Sequence, residues 1–387
     1  KRGTRCLPWG YIGHPYNMPM GPGTLILSGC GPNMLPVHFL LCTLWFENII
    51  VYRGNKMYLP KFMIERPESP EEAATLLKVR KESRLVAGGT ELFPRMKYGL
   101  CSPEFIISLK GSKISRPQVT PEGMLILDAK MSLTAINSSP EIQEKAPLLA
   151  MAAGRVATRE IRNMGTLGGN LCQETRCLYF NQKHTFQFRE PCFKRGGEQC
   201  YFIPKGNKCW AVFMSDLAPA LFCLDASINI VGSGGVRQIE IHKLYTHDPL
   251  KPISLKADEI VTKIIIPKNE GTSGSGFAKF TMRGGMEFAG VNIGVFVETE
   301  KDLHTCKGAR ITVGAISGWP QRAPEAETFL EGKDLTDDII TAASRKITEN
   351  MKIVPHHGYT KGYLTECLKS QAKTALTDAT NAIIGAT

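Results

Sequence analysis

The sequence predicts a mixed α+β chain, and three observations carry that expectation. β-rich apolar segments alternate with short helical stretches between Met57 and Ile266. From Phe277 onward, strands come first and helices follow, the order of an α+β domain. Between them, a basic and aromatic stretch from Cys172 to Trp210 holds five of the chain's twelve cysteines.

The totals bound the problem. A chain of 387 residues is long enough for two or three domains with sizeable cores. Hydrophobic residues make up 43% and charged residues 21%, so disorder is not the expectation. The net charge of +11 permits an acidic protein or nucleotide partner. With no arginine-rich run, zinc finger or RNP-type aromatic motif, no nucleic acid is expected. So many cysteines in a chain too large to need stapling suit free thiolates in a reducing, cytoplasmic compartment.

Residues 1–56 hold no helical or strand period and carry one acidic residue, Glu47. Their apolar run, Leu35 to Tyr52, contains His38, Glu47 and Asn48, which is marginal for a membrane span of ~20 apolar residues. This stretch reads as a non-domain extension or as sequence upstream of a start at Met57, and no membrane is expected.

From Met57 the order is regular. Ser69-Pro70-Glu71-Glu72 is a capping box with proline at the first helical position. Leu85 to Ala87 reads as a buried strand that runs into Gly88-Gly89-Thr90-Glu91-Leu92 and a short helix. Glu104 to Leu109 and Met124 to Asp128 read as strands, and Pro147 to Ala157 as a helix. Asp216 is placed to cap a helix over Leu217 to Leu224. Ala226 to Val231 and Val236 to Ile241 flank Gly232-Ser233-Gly234-Gly235, a hairpin signal. Ile260 to Ile266 is a β-branched strand, and Asn269 to Gly276 reads as a Gly/Ser linker. Strands at Phe277 to Met282, Phe288 to Glu298 and Ala309 to Ile316 precede helices at Thr336 to Met351 and Tyr359 to Ala382.

Two diglycine turns stand out. Gly88-Gly89 follows a strand, and Gly168-Gly169 repeats the device, with Thr90, Thr166 and Asn170 as side-chain donors. Lacking side chains, paired glycines let backbone N–H groups approach an anion, and a following helix N-terminus adds a favourable dipole. A lone pair is usually a tight turn; two of them suit the two phosphates of a pyrophosphate. No G-x-G-x-x-G follows the first strand, so a Rossmann site is not indicated.

The motifs VAGGTEL (Val86–Leu92), IRNMGTLGGNL (Ile161–Leu171), SDLAPAL (Ser215–Leu221) and FAKFTMR (Phe277–Arg283) occur in this order. Together they resemble the FAD-binding subunit of the xanthine dehydrogenase and carbon monoxide dehydrogenase family of molybdenum enzymes. The resemblance implies an FAD-binding PCMH domain of the vanillyl-alcohol-oxidase type, in two subdomains, over residues 57–270. A small α+β domain like the carbon monoxide dehydrogenase flavoprotein C-terminal domain would follow over 277–387. It also implies that Val86, Ala87, Gly88, Gly89, Thr90, Glu91 and Leu92 hold the FAD pyrophosphate together with Thr166, Leu167, Gly168, Gly169 and Asn170. Asp216 would contact the ribose or adenine end. Lys279 would sit near the flavin ring, where a cation stabilises a reduced, anionic isoalloxazine. Val156 and Val261 fall near pocket positions. Without the resemblance, Asp216 reads as a helix cap and Lys279 as a solvated strand lysine.

Within the insert, Cys177, Cys192, Cys200 and Cys209 are separated by 14, 7 and 8 residues, too irregular for the paired C-x2-C knuckles of a zinc ribbon. Four such thiolates can converge on one iron–sulfur cube, while a structural zinc or disulfides remain open readings. Phe180, Phe186, Phe188, Phe193, Tyr201, Phe202 and Trp210 read as a local core, and His184 as a surface or capping residue. Arg176, Lys183, Arg189, Lys194, Arg195, Lys205 and Lys208 outnumber Glu174, Glu190 and Glu198, seven against three. This positive balance suits a docking patch for an acidic ferredoxin.

The signatures R-C-x-x-x-N-Q, C-x-K-x-x-G-x-x-C and P-x-G-x-x-C in the insert resemble those of the 4-hydroxybenzoyl-CoA reductase β subunits. That resemblance implies a 4Fe-4S cluster on Cys177, Cys192, Cys200 and Cys209; Cys172 is the competing candidate ligand and reads as a buried thiol near the flavin. It implies a heterotrimer, itself dimerised, with a small 2Fe-2S subunit and a large molybdenum-cofactor subunit. Ferredoxin electrons would enter at the cluster, pass to FAD and continue to those partners, for reductive dehydroxylation in anaerobic aromatic degradation. No catalytic acid–base pair is expected in this chain. The other reading is an ordinary flavin subunit of a xanthine, aldehyde or CO dehydrogenase-type enzyme, with a structural or zinc-bound insert.

Overall fold

The computed structural model describes residues 59–181, 190–203 and 205–385. The extension expected over 1–56, the start at Met57, and the insert residues Lys183, His184, Phe186, Phe188 and Arg189 lie outside the described residues.

The chain opens with β1 (Met63–Glu65), α1 (Pro70–Val79), β2 (Ser83–Val86), α2 (Leu92–Lys97) and β3 (Phe105–Ser108). The three strands form a parallel sheet in the order β1-β3-β2. Ser69 caps α1, its Oγ accepting from the Glu72 amide at 3.1 Å. Glu72 reaches back to the Glu68 amide at 2.8 Å, one residue earlier than a strict capping box requires.

β4 (Gln118–Val119) and β5 (Leu125–Asp128) follow, then a run of short helices. These are α3 (Leu133–Ser138), α4 (Pro140–Lys145), α5 (Pro147–Gly154), α6 (Arg159–Met164) and α7 (Leu167–Leu171). After the cysteine insert come α8 (Leu217–Cys223), β6 (Ser227–Gly232), β7 (Gly235–Glu240) and β8 (Ile260–Ile266). Strands β4 to β8 make an antiparallel sheet in the order β4-β5-β8-β6-β7. Its main core gathers Leu125 and Leu127 of β5, Leu148 and Leu149 of α5, Leu217 and Leu221 of α8, and Ile264 of β8. A smaller core of Ala73, Ala74, Ile107, Val231 and Ile260 seats α1 and the parallel sheet against it.

The last part holds β9 (Ser273–Phe280), β10 (Val291–Thr299), β11 (Cys306–Gly314), β12 (Gln321–Arg322), α9 (Pro324–Leu330), α10 (Asp337–Lys346) and α11 (Lys361–Ile384). Its antiparallel sheet, β12-β11-β10-β9, packs on these helices through Val291, Ile293, Val295, Leu364, Leu368 and Leu376.

The linker expected over Asn269 to Gly276 is corrected here, because β9 begins at Ser273. A Cβ built on Gly274 would overlap the carbonyl of Ala379, and one on Gly276 the carbonyl of Ala375. These glycines therefore serve contact between a strand and the backbone of α11, not chain flexibility. Among the described residues, no helix is long and apolar enough to cross a membrane.

Candidate functional site

The two diglycine segments meet. A Cβ on Gly88 would overlap the carbonyl oxygen of Met164, and Gly165 lies against Thr90. The segment after β2 therefore rests directly on the residues that open the second motif. Gly89 has φ +76°, a left-handed conformation that glycine adopts without strain. The amide groups of Gly88, Gly89, Thr90 and Glu91 donate to no acceptor among the described residues. Four open donors at the foot of α2 are what an anionic group requires.

The second motif is not the open turn the sequence suggests. Gly168 and Gly169 lie in the first turn of α7. The Gly168 amide donates to the Ala129 carbonyl at 2.8 Å. The Gly169 amide donates to Thr166 Oγ1 at 3.1 Å, so Thr166 acts as helix cap and acceptor. Asn170 Oδ1 accepts from Ser215 Oγ at 2.6 Å, which leaves its NH2 group as the donor this motif offers.

Asn170 lines a cleft of about 450 Å3 with Val156, Gln173, Met214, Asp216, Lys279, Phe288 and Tyr359 among its walls. Asp216 and Lys279 come together there. Lys279 Nζ lies 2.6 Å from Asp216 Oδ2 and donates to the Arg155 carbonyl at 3.0 Å. Asp216 Oδ1 accepts from Asn292 Nδ2 at 2.6 Å. Two expectations are corrected. Asp216 stands at the N-cap position but makes no side-chain cap; Ser215 Oγ accepts from the Ala218 amide at 3.0 Å instead. Lys279 is 7% exposed and so is no solvated lysine. Val261 sits in the core of β8, away from the cleft walls.

The four cysteines of the insert line one small cavity of about 10 Å3, with Tyr179, Phe180, Phe193, Lys194, Tyr201 and Phe202. Local turns present them. Asn181 closes the chain after Cys177, its amide donating to the Cys177 carbonyl at 3.0 Å. A one-turn 3-10 helix, Phe193–Arg195, follows Cys192 and ends at Gly196 with φ +85°. The Ile203 amide points at Cys200 Sγ at 3.5 Å. Burial pushes the Cys177 thiol up, and amides of Phe180 and Tyr179 oppose it. Burial pushes Cys209 up to about 11, opposed by the Ala211 amide and the Lys194 charge. Such thiols stay protonated unless a cation takes the proton's place. Among the described residues, no group of three or more His, Cys, Asp or Glu side chains is arranged to hold a metal ion. Cys172 does not line this cavity; it packs against the main core, and burial pushes its thiol up to about 12.

Residues 60–269 match the family described as the FAD binding domain in molybdopterin dehydrogenase. Residues 277–379 match the CO dehydrogenase flavoprotein C-terminal domain. The chain belongs to this family. It is an FAD-binding oxidoreductase subunit of the molybdenum hydroxylase type, with the expected PCMH and flavoprotein C-terminal domains. It is 28% identical to the nicotine 6-hydroxylase medium subunit of Paenarthrobacter nicotinovorans, over 81% of this chain and 96% of the relative. It is 26% identical to the aldehyde oxidoreductase FAD-binding subunit of Escherichia coli, over 75% and 92%. Quinoline 2-oxidoreductase from Pseudomonas putida 86 shares the fold at a TM-score of 0.66 and 21% identity, over 85% of this chain and 99% of that one.

For this FAD subunit, the residues present fit the cofactor: open amides on one loop and a cleft with a buried ion pair in its wall. Gln173, in the cleft wall, was not singled out in the sequence, and Arg176 beside it was read only as part of the basic patch. Gln173 Nε2 donates to the Asn170 carbonyl at 3.1 Å, and Arg176 donates to Gln173 Oε1 at 2.9 and 3.1 Å. Arg176 also pairs with Glu91 and stacks over Phe288 at 4.6 Å. Burial lowers the Arg176 pKa, and Glu91 opposes that shift. Gln173 binds neighbours three residues away on either side, a signal the motif's position offered, whereas Arg176's partner Glu91 is 85 residues away.

The basic patch is reduced by this geometry. Arg176 is taken by Glu91, and Lys194 lies 2.8 Å from Glu174 with its side chain 4% exposed. Arg195 donates to the Phe180 carbonyl at 2.8 Å. Of the described members, Lys205 and Lys208 are exposed.

Proposed function

We propose that the chain is the electron-transfer subunit of a molybdenum enzyme resembling 4-hydroxybenzoyl-CoA reductase, holding FAD in the cleft and a 4Fe-4S cluster among Cys177, Cys192, Cys200 and Cys209. The observation that carries this reading is the single cavity shared by all four cysteines. Four cysteines facing one space are the number of thiolates that such a cluster takes. Bound flavin and cluster supply carriers that together exchange electrons singly or in pairs.

The residues of the chain do the rest. The amides of Gly88 to Glu91 and the Asn170 carboxamide would hold the pyrophosphate of FAD, and Asp216 and Lys279 form the deeper wall. Phe180, Phe193 and Phe202 keep water from the thiolates. Lys194, buried beside Cys209, offsets the negative charge of a thiolate-bound core. Among curated relatives, several are named medium subunits or chains, which supports a large molybdenum partner and a small 2Fe-2S partner here. Ferredoxin as donor rests on the insert, with Lys205 and Lys208 as its exposed cations.

Anaerobic analysis of the purified chain for iron, acid-labile sulfide and flavin tests the reading. About four iron and four sulfide per FAD are expected. Zinc in place of iron would return the chain to an ordinary hydroxylase flavin subunit with a structural insert.

A further inference from the structure

The residue beside Cys177 reaches the flavin loop. Arg176 sends its guanidinium to Glu91, inside the segment Val86–Leu92, and to Gln173, which holds the Asn170 carbonyl. Its own amide donates to the Val212 carbonyl at 2.9 Å, in the segment that leaves the insert. A second tie runs in parallel. Arg95, on α2, stacks over the ring of Phe180 at 5.1 Å, and Phe180 lines the cysteine cavity. Arg95 also lies 3.5 Å from Glu91. Glu91 thus stands between two arginines, one anchored next to a cysteine of the cavity and one resting on its wall.

We infer that Glu91 and Arg176 couple the two sites, so that filling the cysteine cavity fixes the flavin loop and raises the affinity for FAD. With the cavity filled, Cys177 is held and Arg176 presents a fixed fork to Glu91 and Gln173. Glu91 then keeps the four open amides of Gly88 to Glu91 in place. With the cavity empty, the turn at Cys177 to Asn181 loses its anchor, and the loop must be ordered at FAD's expense. Ordering a site before its ligand arrives is a coupling of binding free energies and acts in both directions. This inference rests on the cluster reading above.

The test measures FAD affinity, not turnover. The full chain is stripped of flavin, and FAD binding is followed by fluorescence quenching in iron-loaded and iron-depleted samples. Iron-loaded wild type is expected to bind FAD about tenfold more tightly than the depleted form. In Glu91→Gln and in Arg176→Gln this ratio falls toward one, and the double variant shows no further change. Arg176→Lys, which keeps the charge but not the fork, restores part of it. Equal affinities in the two wild-type samples, or a tenfold ratio that survives both single variants, would overturn the coupling. Iron content, measured on each sample, separates the two ideas: wild type that never takes up iron sinks the cluster reading and this inference with it. Glu91→Gln keeps the test open should Arg176→Gln not fold.

Discussion

Lys279 Nζ lies 2.6 Å from Asp216 Oδ2, with 3% and 6% of the two side chains exposed. The pair joins β9 to the start of α8 at the cleft wall. Removing one partner strands the other charge where only a few per cent of its surface reaches water. Asp216→Ala is expected to cost about 3–5 kcal/mol, read as a lower urea midpoint. Replacing both, Asp216→Leu with Lys279→Met, is expected to cost less than either single change.

Gly88→Ala places a methyl group on the Met164 carbonyl. Neither side of that contact is a flexible side chain, so the two motif segments must separate. The expected outcome is loss of FAD on gel filtration, with cysteine-bound iron retained. Gly169→Ala meets only Thr166 Oγ1, at 2.8 Å, and is expected to cost about 1 kcal/mol through the lost cap while FAD remains bound.

Cys177→Ser, Cys192→Ser, Cys200→Ser and Cys209→Ser are each expected to abolish or sharply reduce iron and sulfide content. Cys172→Ser, outside the cavity, leaves both unchanged. Visible absorbance and iron analysis of the five purified variants check this. Iron loss in Cys172→Ser with retention in one of the four would reassign the ligands.

His356 is 3% exposed, and burial holds its pKa below the usual 6.5. Its Nδ1 lies 2.8 Å from the Val354 carbonyl, a bond the neutral ring makes. As pH falls, the unfolded chain takes up this proton first, so stability drops below about pH 6.5. His357, shifted down by burial as well, adds to the same slope. His356→Gln is expected to flatten the fall in urea midpoint between about pH 7 and pH 5.

Features decided by neighbours in sequence were readable. The cap at Ser69, the hairpin around Ser233-Gly234 and the strand Ile260–Ile266 all follow from local spacing. What escaped is long-range. Asp216 looked like a cap because its partner Lys279 is 63 residues away. Arg176 looked like part of the basic docking patch because Glu91 is 85 residues away. Gly274 and Gly276 looked like a linker because the helix that needs them comes a hundred residues later. The short helices α3, α4 and α6 carry too few turns for a hydrophobic period to stand out.

Those two glycines have a mechanical consequence. At those two points strand and helix touch backbone to backbone, which leaves less room to slide than a contact made by side chains alone. Sheet and terminal helix must then melt as one unit, and amides of β9 and α11 should exchange with solvent at a common, slow rate.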